Sequence, residues 1–377
     1  MAVMYLYPGT LGVLPDGRVA VWTKSMTSLR AFAASLDEEL LVGAAVDPVS
    51  EVPVGAEPVG DEPNLRIVGW AAGGERERLA ELAPELSLVM TLLSVDREWL
   101  LDLGVPVSFI AENTLRMRLD QLRASGPSAV TLVRSAIGLV RRERKLRGML
   151  RRSAGLECNG PGAYRTYARF APHAVEFNDS RVTDADIAAA QAIVPGEGGE
   201  LRVAFSGRWI AIKGIAYVLE VARLAHEGGV RARFAVIGGG ELEPAIRAAA
   251  PPNLEVVGYL DFETQWKPWV RANVDLMLLP HVQGDPSGTY FEALGCGVPL
   301  LGFHNESLTP LVGEGVAWAV RRGDSSGLVD VIARLARDRP ELVRARVRAL
   351  DYMSVRTMER NDVRRSAFVE AVARGIR

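Results

Sequence analysis

Residues 201–227 read LRVAFSGRWIAIKGIAYVLEVARLAHE, and their reading decides the fold. The short apolar run 201–206 ends in Gly207, and from Gly214 onward apolar residues recur at helical spacing through residue 227. The same alternation continues downstream. Residues 233–237 predict a second strand, closed by Gly238, Gly239 and Gly240, and 241–250 a helix stopped by Pro251 and Pro252. Further strands are expected at 254–257, 274–279 and 298–302, with helices at 263–272, 289–294 and 326–337. Apolar strands alternating with helices of this length imply a parallel sheet covered on both faces. In such sheets ligands bind beyond the carboxyl ends of the strands, so the loops that follow them are where function is sought.

Toward the N-terminus the pattern is noisier but of the same kind. Strands are expected at 2–7, 39–46, 65–68, 86–90 and 107–110, and helices at 28–35, 75–82, 96–103 and 129–152. Residues 176–199, with Pro195, Gly196, Gly198 and Gly199, read as a linker. A chain of 377 residues exceeds the roughly 250–300 at which single cores split, which agrees with two domains. The expected fold is α/β: two doubly wound, Rossmann-like domains, 1–180 and 199–354, facing a cleft.

Composition narrows the classes of function. A formal charge of −2 gives no overall pull toward nucleic acid or an anionic membrane, and no nucleic-acid partner is expected. Two cysteines, Cys158 and Cys296, are too few for a disulfide scaffold, and Cys296 reads as a small buried side chain. The four histidines, His173, His226, His281 and His304, show no metal-ligand spacing, so no metal and no cofactor are expected. His173 reads as structural. No apolar run reaches membrane-spanning length and the N-terminus lacks a signal-peptide pattern, so the expected location is cytoplasmic. Four lysines (Lys24, Lys145, Lys213, Lys267) stand against forty arginines, which base composition in the coding DNA explains without invoking function.

Two constellations carry chemistry. The first is the run from Asp285 to Pro299, DPSGTYFEALGCGVP. Asp285 followed by Pro286 is a helix-start signal, with a capping carboxylate and a proline suited to the first turn. The amides of Ser287, Gly288 and Thr289 would then emerge from a positive helix end, a natural seat for phosphate or sugar oxygens. Glu292 lies about two turns in. The competing reading makes Asp285 a cap only and Glu292 a solvated helix residue. The second constellation pairs Gly207 and Arg208 with Lys213 and Gly214. Two cations at a strand end and the following helix start could neutralise a diphosphate, or be ordinary surface charges.

Taken together, Gly207-Arg208-x4-Lys213-Gly214, the glycine-ended strand reaching Gly238 and Gly239, and Glu292-Ala-Leu-Gly-Cys-Gly-Val-Pro resemble, in order and spacing, the donor-binding domain of the retaining GT-B glycosyltransferases of family 4, relatives of glycogen and sucrose synthases. The resemblance covers about residues 175–350. It implies transfer of a hexose-type sugar from a nucleotide diphosphate sugar to an acceptor hydroxyl, with retention and without metal. Arg208 and Lys213 would hold the diphosphate, Glu292 the ribose, and Ser287, Gly288 and Thr289 the phosphate and sugar. The family's earlier glutamate, which binds the transferred sugar, falls on Gly284 here, and Asp285 could replace it. The resemblance also implies that the last helix, about 357–373, crosses back so that 355–377 join the first domain.

On the acceptor side the resemblance points to the loop after the first strand, with Gly9, Thr10 and Gly12, although the usual glycine pair is missing. Glu112 and Asn113, following the strand at 107–110, are acceptor contacts by position. The acceptor class (natural product, glycan or lipid) stays open. Residues 141–152, from Arg141 to Arg152, hold seven basic residues against Glu143 and could touch an anionic membrane or form a solvated basic face. Two other functions compete: a non-catalytic nucleotide-sugar-binding relative, and a GT-B phosphorylase or epimerase.

Overall fold

The computed structural model describes the chain except residues 15–17, 48–55, 61, 125, 194–198, 285, 286, 376 and 377. The described chain divides into two units: Met1–Thr114 with Ile137–Phe177 and Met358–Arg377, and Leu115–Ala136 with Asn178–Thr357. The helix Leu115–Ala124 therefore groups with the second unit, although it follows the strands of the first in sequence.

The first unit is built on a nine-stranded sheet. In chain order its strands are β1 (Ala2–Val13), β2 (Val19–Trp22), β3 (Glu39–Asp47), β4 (Ala56–Pro58), β5 (Leu65–Trp70), β6 (Leu86–Leu92), β7 (Val107–Ala111), β8 (Gly155–Asn159) and β9 (Ala174–Phe177). Seven run parallel in the order β5-β3-β1-β6-β7-β8-β9, while β2 and β4 add an antiparallel flap to the end of β1. Alternation along the strands separates two cores. Met4, Leu6, Val89 and Phe109 pack on one face with Leu146 and Leu150 of the helix Ala129–Arg152. Val3, Leu88, Met90 and Ile110 pack on the other with Val369 and Val372 of the helix Met358–Ala373. The basic stretch of the helix Ala129–Arg152 is partly neutralised: Lys145 pairs with Glu98, Arg147 with Glu143, and Arg152 with Asp102.

The expected loop after the first strand is absent. β1 continues through Gly9, Thr10 and Gly12, because Thr10, Leu11 and Gly12 pair with Ala45, Val46 and Asp47 of β3, and Gly12 also pairs with Ala20 of β2. A register shift between Leu6 and Thr10 accommodates Pro8, which has no N–H to give to a ladder.

The second unit has six parallel strands, β10 (Leu201–Arg208), β11 (Ala232–Gly239), β12 (Leu254–Gly258), β13 (Leu276–Leu279), β14 (Leu300–Phe303) and β15 (Ala317–Val320), ordered β12-β11-β10-β13-β14-β15. The order reverses between β10 and β13. Part of the expected linker is a helix, Asp184–Gln191, because Thr183 and Asp186 form a capping box that satisfies both free amides. No helix among the described residues is long and apolar enough to cross a membrane.

One buried ion pair ties the end of the chain to the first sheet. Glu157 of β8 is fully buried, and Arg365 donates to its Oε2 at 2.8 Å while stacking over the rings of Phe32 and Phe177. Burial pushes the Glu157 carboxyl up, against the pull of Arg365. Replacing Arg365 with Met would strand a carboxylate in the core, and calorimetry should show the first unit losing about 3–5 kcal/mol of stability. Combining it with Glu157→Leu should recover much of that loss.

Candidate functional site

The strand-order reversal brings β10 and β13 side by side, and the described candidates of the second unit lie at the ends of β10 and β11 or in the segments that follow β10 and β13. Arg208 is not beyond β10 but its last residue, exposed and opposite Gly239, because pairing with β11 continues through Gly207↔Gly238 and Arg208↔Gly239. Glycine is required at 238. Gly238 has φ 126°, and a β-carbon on it would fall 2.0 Å from the Gly207 carbonyl oxygen. Trp209, wholly buried, anchors the turn that follows: its amide donates to Gly239 O at 2.8 Å and its carbonyl accepts from Leu242 N at 3.3 Å.

Lys213 closes a single 3₁₀ turn, Ala211–Lys213, rather than opening the helix. Gly214 intervenes with φ 74° before the helix Ile215–Glu227, and a β-carbon there would sit 2.0 Å from Pro280 O. A bond from Val282 N to Ile212 O at 3.2 Å joins the same two loops. Lys213 is thereby buried beside His281, the second residue after β13. Burial first, and the Lys213 charge second, hold the His281 pKa well below its ordinary value, so the imidazole is neutral. His281 stacks on Tyr290, whose Oη meets His281 Nδ1 at 3.1 Å and accepts from Asn305 Nδ2 at 3.4 Å.

The helix after β13 is Gly288–Gly295, with Ser287 at its N-cap position. Its first turn presents the amides of Gly288 and Thr289, which lie beyond the reach of the helix's own carbonyls. Ser287, not Asp285, therefore precedes the first turn; Asp285 and Pro286 lie outside the described residues.

Glu292 is neither solvated nor open on all sides. It is buried, and its Oε1 accepts from Arg181 Nε at 3.2 Å and Nη2 at 3.0 Å. Arg181 in turn lies 3.5 Å above the Phe262 ring. Both bonds fall on Oε1, so among the described residues the second oxygen of Glu292 has no hydrogen-bond donor. Gly284 admits no side chain: a β-carbon would meet Glu306 N at 2.9 Å.

Sequence reasoning missed Arg181, Trp209, His281, Tyr290 and Asn305. Arg181 had one visible signal, its place two residues before the Thr183–Asp186 capping box, but forty arginines drown it. In the first unit, Glu112 and Asn113 follow β7. Asn159 Nδ2, at the end of β8, donates to Glu112 Oε1 at 3.4 Å, and Tyr167 Oη donates to Asn113 O at 3.5 Å. Gly9, Thr10 and Gly12 lie within β1, as described.

Residues 200–338 match the family described as glycosyl transferases group 1. Over 155 residues the chain is 26% identical to the amylovoran biosynthesis glycosyltransferase AmsK of Erwinia amylovora, a match that spans 38% of this chain and 38% of that relative. Solved structures similar over nearly the full length include sucrose-phosphate synthase of Thermosynechococcus elongatus, 15% identical with a TM-score of 0.64 over 99% of both chains. They also include the Anabaena protein HepE in complex with UDP and glucose, 15% identical with a TM-score of 0.58 over 97% of this chain and 98% of that one. The α,α-trehalose 6-phosphate synthase of Burkholderia multivorans is 12% identical, with a TM-score of 0.66 over all of both chains. The fold is thus GT-B, two Rossmann-like α/β domains, and the match to group 1 glycosyl transferases falls within the second of them.

The contact at Gly214 yields a test. Gly214→Ala meets both left-handed strain and a backbone clash, and should cost the second unit more than about 2 kcal/mol in thermal unfolding. Gly229 has φ 65° with nothing near its missing β-carbon, so Gly229→Ala should cost only the strain, about 1–2 kcal/mol.

Proposed function

We propose that the protein is a retaining glycosyltransferase that moves a hexose-type sugar from a nucleoside diphosphate sugar to an acceptor hydroxyl. The observation that carries this reading is that Arg208 ends β10, Lys213 lies in the turn after it and the helix Gly288–Gly295 follows β13, the two strands between which the sheet order reverses, inside the region matching group 1 glycosyl transferases. HepE, solved with UDP and glucose, supports a nucleotide sugar as the donor class.

In this reading the diphosphate lies across the ends of β10 and β13. Arg208 grips phosphate oxygens through its planar fork, and Lys213 supplies a compact charge from below. The closely apposed Gly207, Gly238 and Gly239 leave the backbone free of side chains beside the ligand. The amides of Gly288 and Thr289 take oxygens of the phosphate or sugar, and the unengaged oxygen of Glu292 accepts from the ribose hydroxyls. The acceptor oxygen bonds to the anomeric carbon as the bond from that carbon to the distal phosphate oxygen breaks, on the same face. The acceptor proton passes to the departing diphosphate. Its growing negative charge is met by Arg208, Lys213 and the helix amides, which is the role a metal would otherwise fill. Glu112 and Asn113 are proposed on the acceptor side.

Neutral His281 has a positioning role: a second positive charge beside Lys213 would push the ammonium away from its place. Arg181 likewise positions Glu292, by holding one oxygen so that the other faces the ligand.

Arg208→Ala should keep its melting temperature and lose about 3 kcal/mol of transition-state stabilisation, roughly a hundredfold in rate, in a nucleoside diphosphate release assay. The wild-type rate in the same assay should survive EDTA. Near-normal turnover of Arg208→Ala would remove the diphosphate assignment.

Glu292→Gln should weaken the free nucleoside diphosphate about ten- to a hundredfold by calorimetry, since charged hydrogen bonds are worth about 1.5–3 kcal/mol. Arg181→Gln should raise the KM for the donor and leave kcat close to wild type, and Arg181→Lys should restore part of the binding. Unchanged affinity in the Glu292 variant would place the ribose contact elsewhere.

A further inference from the structure

A cavity lies at the end of the second sheet opposite the candidate donor site. It encloses about 520 Å³ beside the first residues of β10 and β11 and the approach to β13, and is walled by Arg202, Arg233, Arg271 and Arg346 with Leu342 and Val343. That volume falls within the roughly 300–1,000 Å³ of small-molecule sites. Arg202 in its wall is six residues along β10 from Arg208, roughly 20 Å, so the cavity is not part of the candidate donor site.

Charge at this cavity is out of balance. Against four guanidinium groups its described lining sets two carboxylates, Glu200 and Asp275. Asp275 is committed, accepting from Arg202 Nη2 at 2.6 Å and from Arg339 Nη1 at 3.3 Å. Arg271 turns to Asp186, which Lys267 already engages at 2.7 Å. Arg346 is half-buried, and its hydrogen-bond partners among the described residues are main-chain carbonyls, which take both Nη groups: Cys296 O at 3.4 Å, Gly297 O at 3.1 Å, Ala190 O at 2.5 Å and Ile193 O at 3.3 Å. These hold the group in place without cancelling its charge.

Arg233 completes the imbalance. It stands directly opposite Arg202 in the parallel register of β10 and β11, so two like charges share one face of the sheet. Like charges in that position are destabilising, and among the described residues Arg233 makes no hydrogen bond or ion pair that would offset them. Planar guanidinium groups are matched to phosphate, which they bind through paired N–H donors.

We propose that this cavity binds a phosphorylated small organic molecule. Its phosphoryl group is taken by the guanidinium of Arg233, with the positive charge of Arg346 in the same cavity, and its carbon skeleton lies against Leu342 and Val343. The site does not depend on the proposed transfer reaction.

The test is calorimetric titration of the full chain with phenyl phosphate, inorganic phosphate and phenol. It is run on the wild type, on Arg208→Ala to remove the candidate diphosphate site, and on Arg233→Gln. Arg233 is exposed and has no partner to lose, so its variant should fold normally, which a thermal melt checks. Phenyl phosphate should bind wild type and Arg208→Ala alike and bind Arg233→Gln about ten- to a hundredfold more weakly. Arg233→Lys should recover part of the loss. Weaker binding of inorganic phosphate with no binding of phenol supports both halves of the site. Binding lost in Arg208→Ala but kept in Arg233→Gln overturns the proposal, as does binding of neither phosphate.

Discussion

The candidate site depends on how closely two pairs of backbone segments approach. Gly207 and Gly238 lie side by side at the ends of β10 and β11, and Gly214 rests on the carbonyl of Pro280 after β13. Both contacts leave 2.0 Å where a β-carbon would stand, so each tolerates glycine alone. Their effect is geometric. They draw the turn after β10 over the start of the loop after β13, which buries Lys213 beside His281 and leaves Arg208 exposed at the strand end. A parallel sheet whose order reverses here would leave a crevice in any case. The glycines decide that its floor is backbone and its walls are two different cations.

Their environments explain why the two cations differ in kind. Arg208 stands in solvent, where an arginine holds its shape and a planar fork is an advantage. Lys213 is packed under a loop, where a guanidinium would need room and several acceptors. Lys267, also buried, is likewise met at short range, by Asp186 Oδ2 at 2.7 Å. In a chain that otherwise uses arginine almost throughout, Lys213 and Lys267 are buried, each where a compact ammonium fits.

How much was legible in the sequence follows the range of the interactions involved. Strands β10 and β11 and the helix Ile215–Glu227 were readable because apolar periodicity is a local property; their ends were misjudged by a residue or two where pairing carried the ladder on through glycines. Strand β8 escaped notice because GLECN does not read as a core strand, with Glu157 at its centre. It becomes one only when Arg365, 208 residues away, supplies the countercharge. The helix Asp184–Gln191 had its capping box in plain view but sat in a stretch read as linker. Gly9, Thr10 and Gly12 looked like a loop because proline and glycine dominate the local pattern, yet pairing with β3 and β2 keeps them extended. Among the site residues, Arg208, Lys213 and Glu292, which sit in local motifs, could be found from the sequence, whereas Trp209 and His281, equally close to strand ends, were missed. Arg181 could not be found, because its partners Glu292 and Phe262 lie far along the chain.

Gly284 shows how a departure from the resemblance can have a structural origin. The glutamate expected there would need space that residues 305–307 occupy: Glu306 N comes within 2.9 Å of the missing β-carbon, and Ser307 Oγ donates to Gly284 O at 2.6 Å. That segment is held by Asn305, whose Oδ1 accepts from Ser307 N at 2.9 Å and from Leu308 N at 2.8 Å. The same Asn305 donates to Tyr290 Oη, and Tyr290 meets His281 beside Lys213. A larger residue at 284 would therefore displace the segment, loosen Asn305, and reach Lys213 through Tyr290 and His281. Gly284 and the buried cation are thus joined by one chain of contacts through Asn305, Tyr290 and His281. Any carboxylate that meets the transferred sugar in the proposed reaction has to come from a different residue, and the sugar preference should differ accordingly from that of relatives that keep the glutamate.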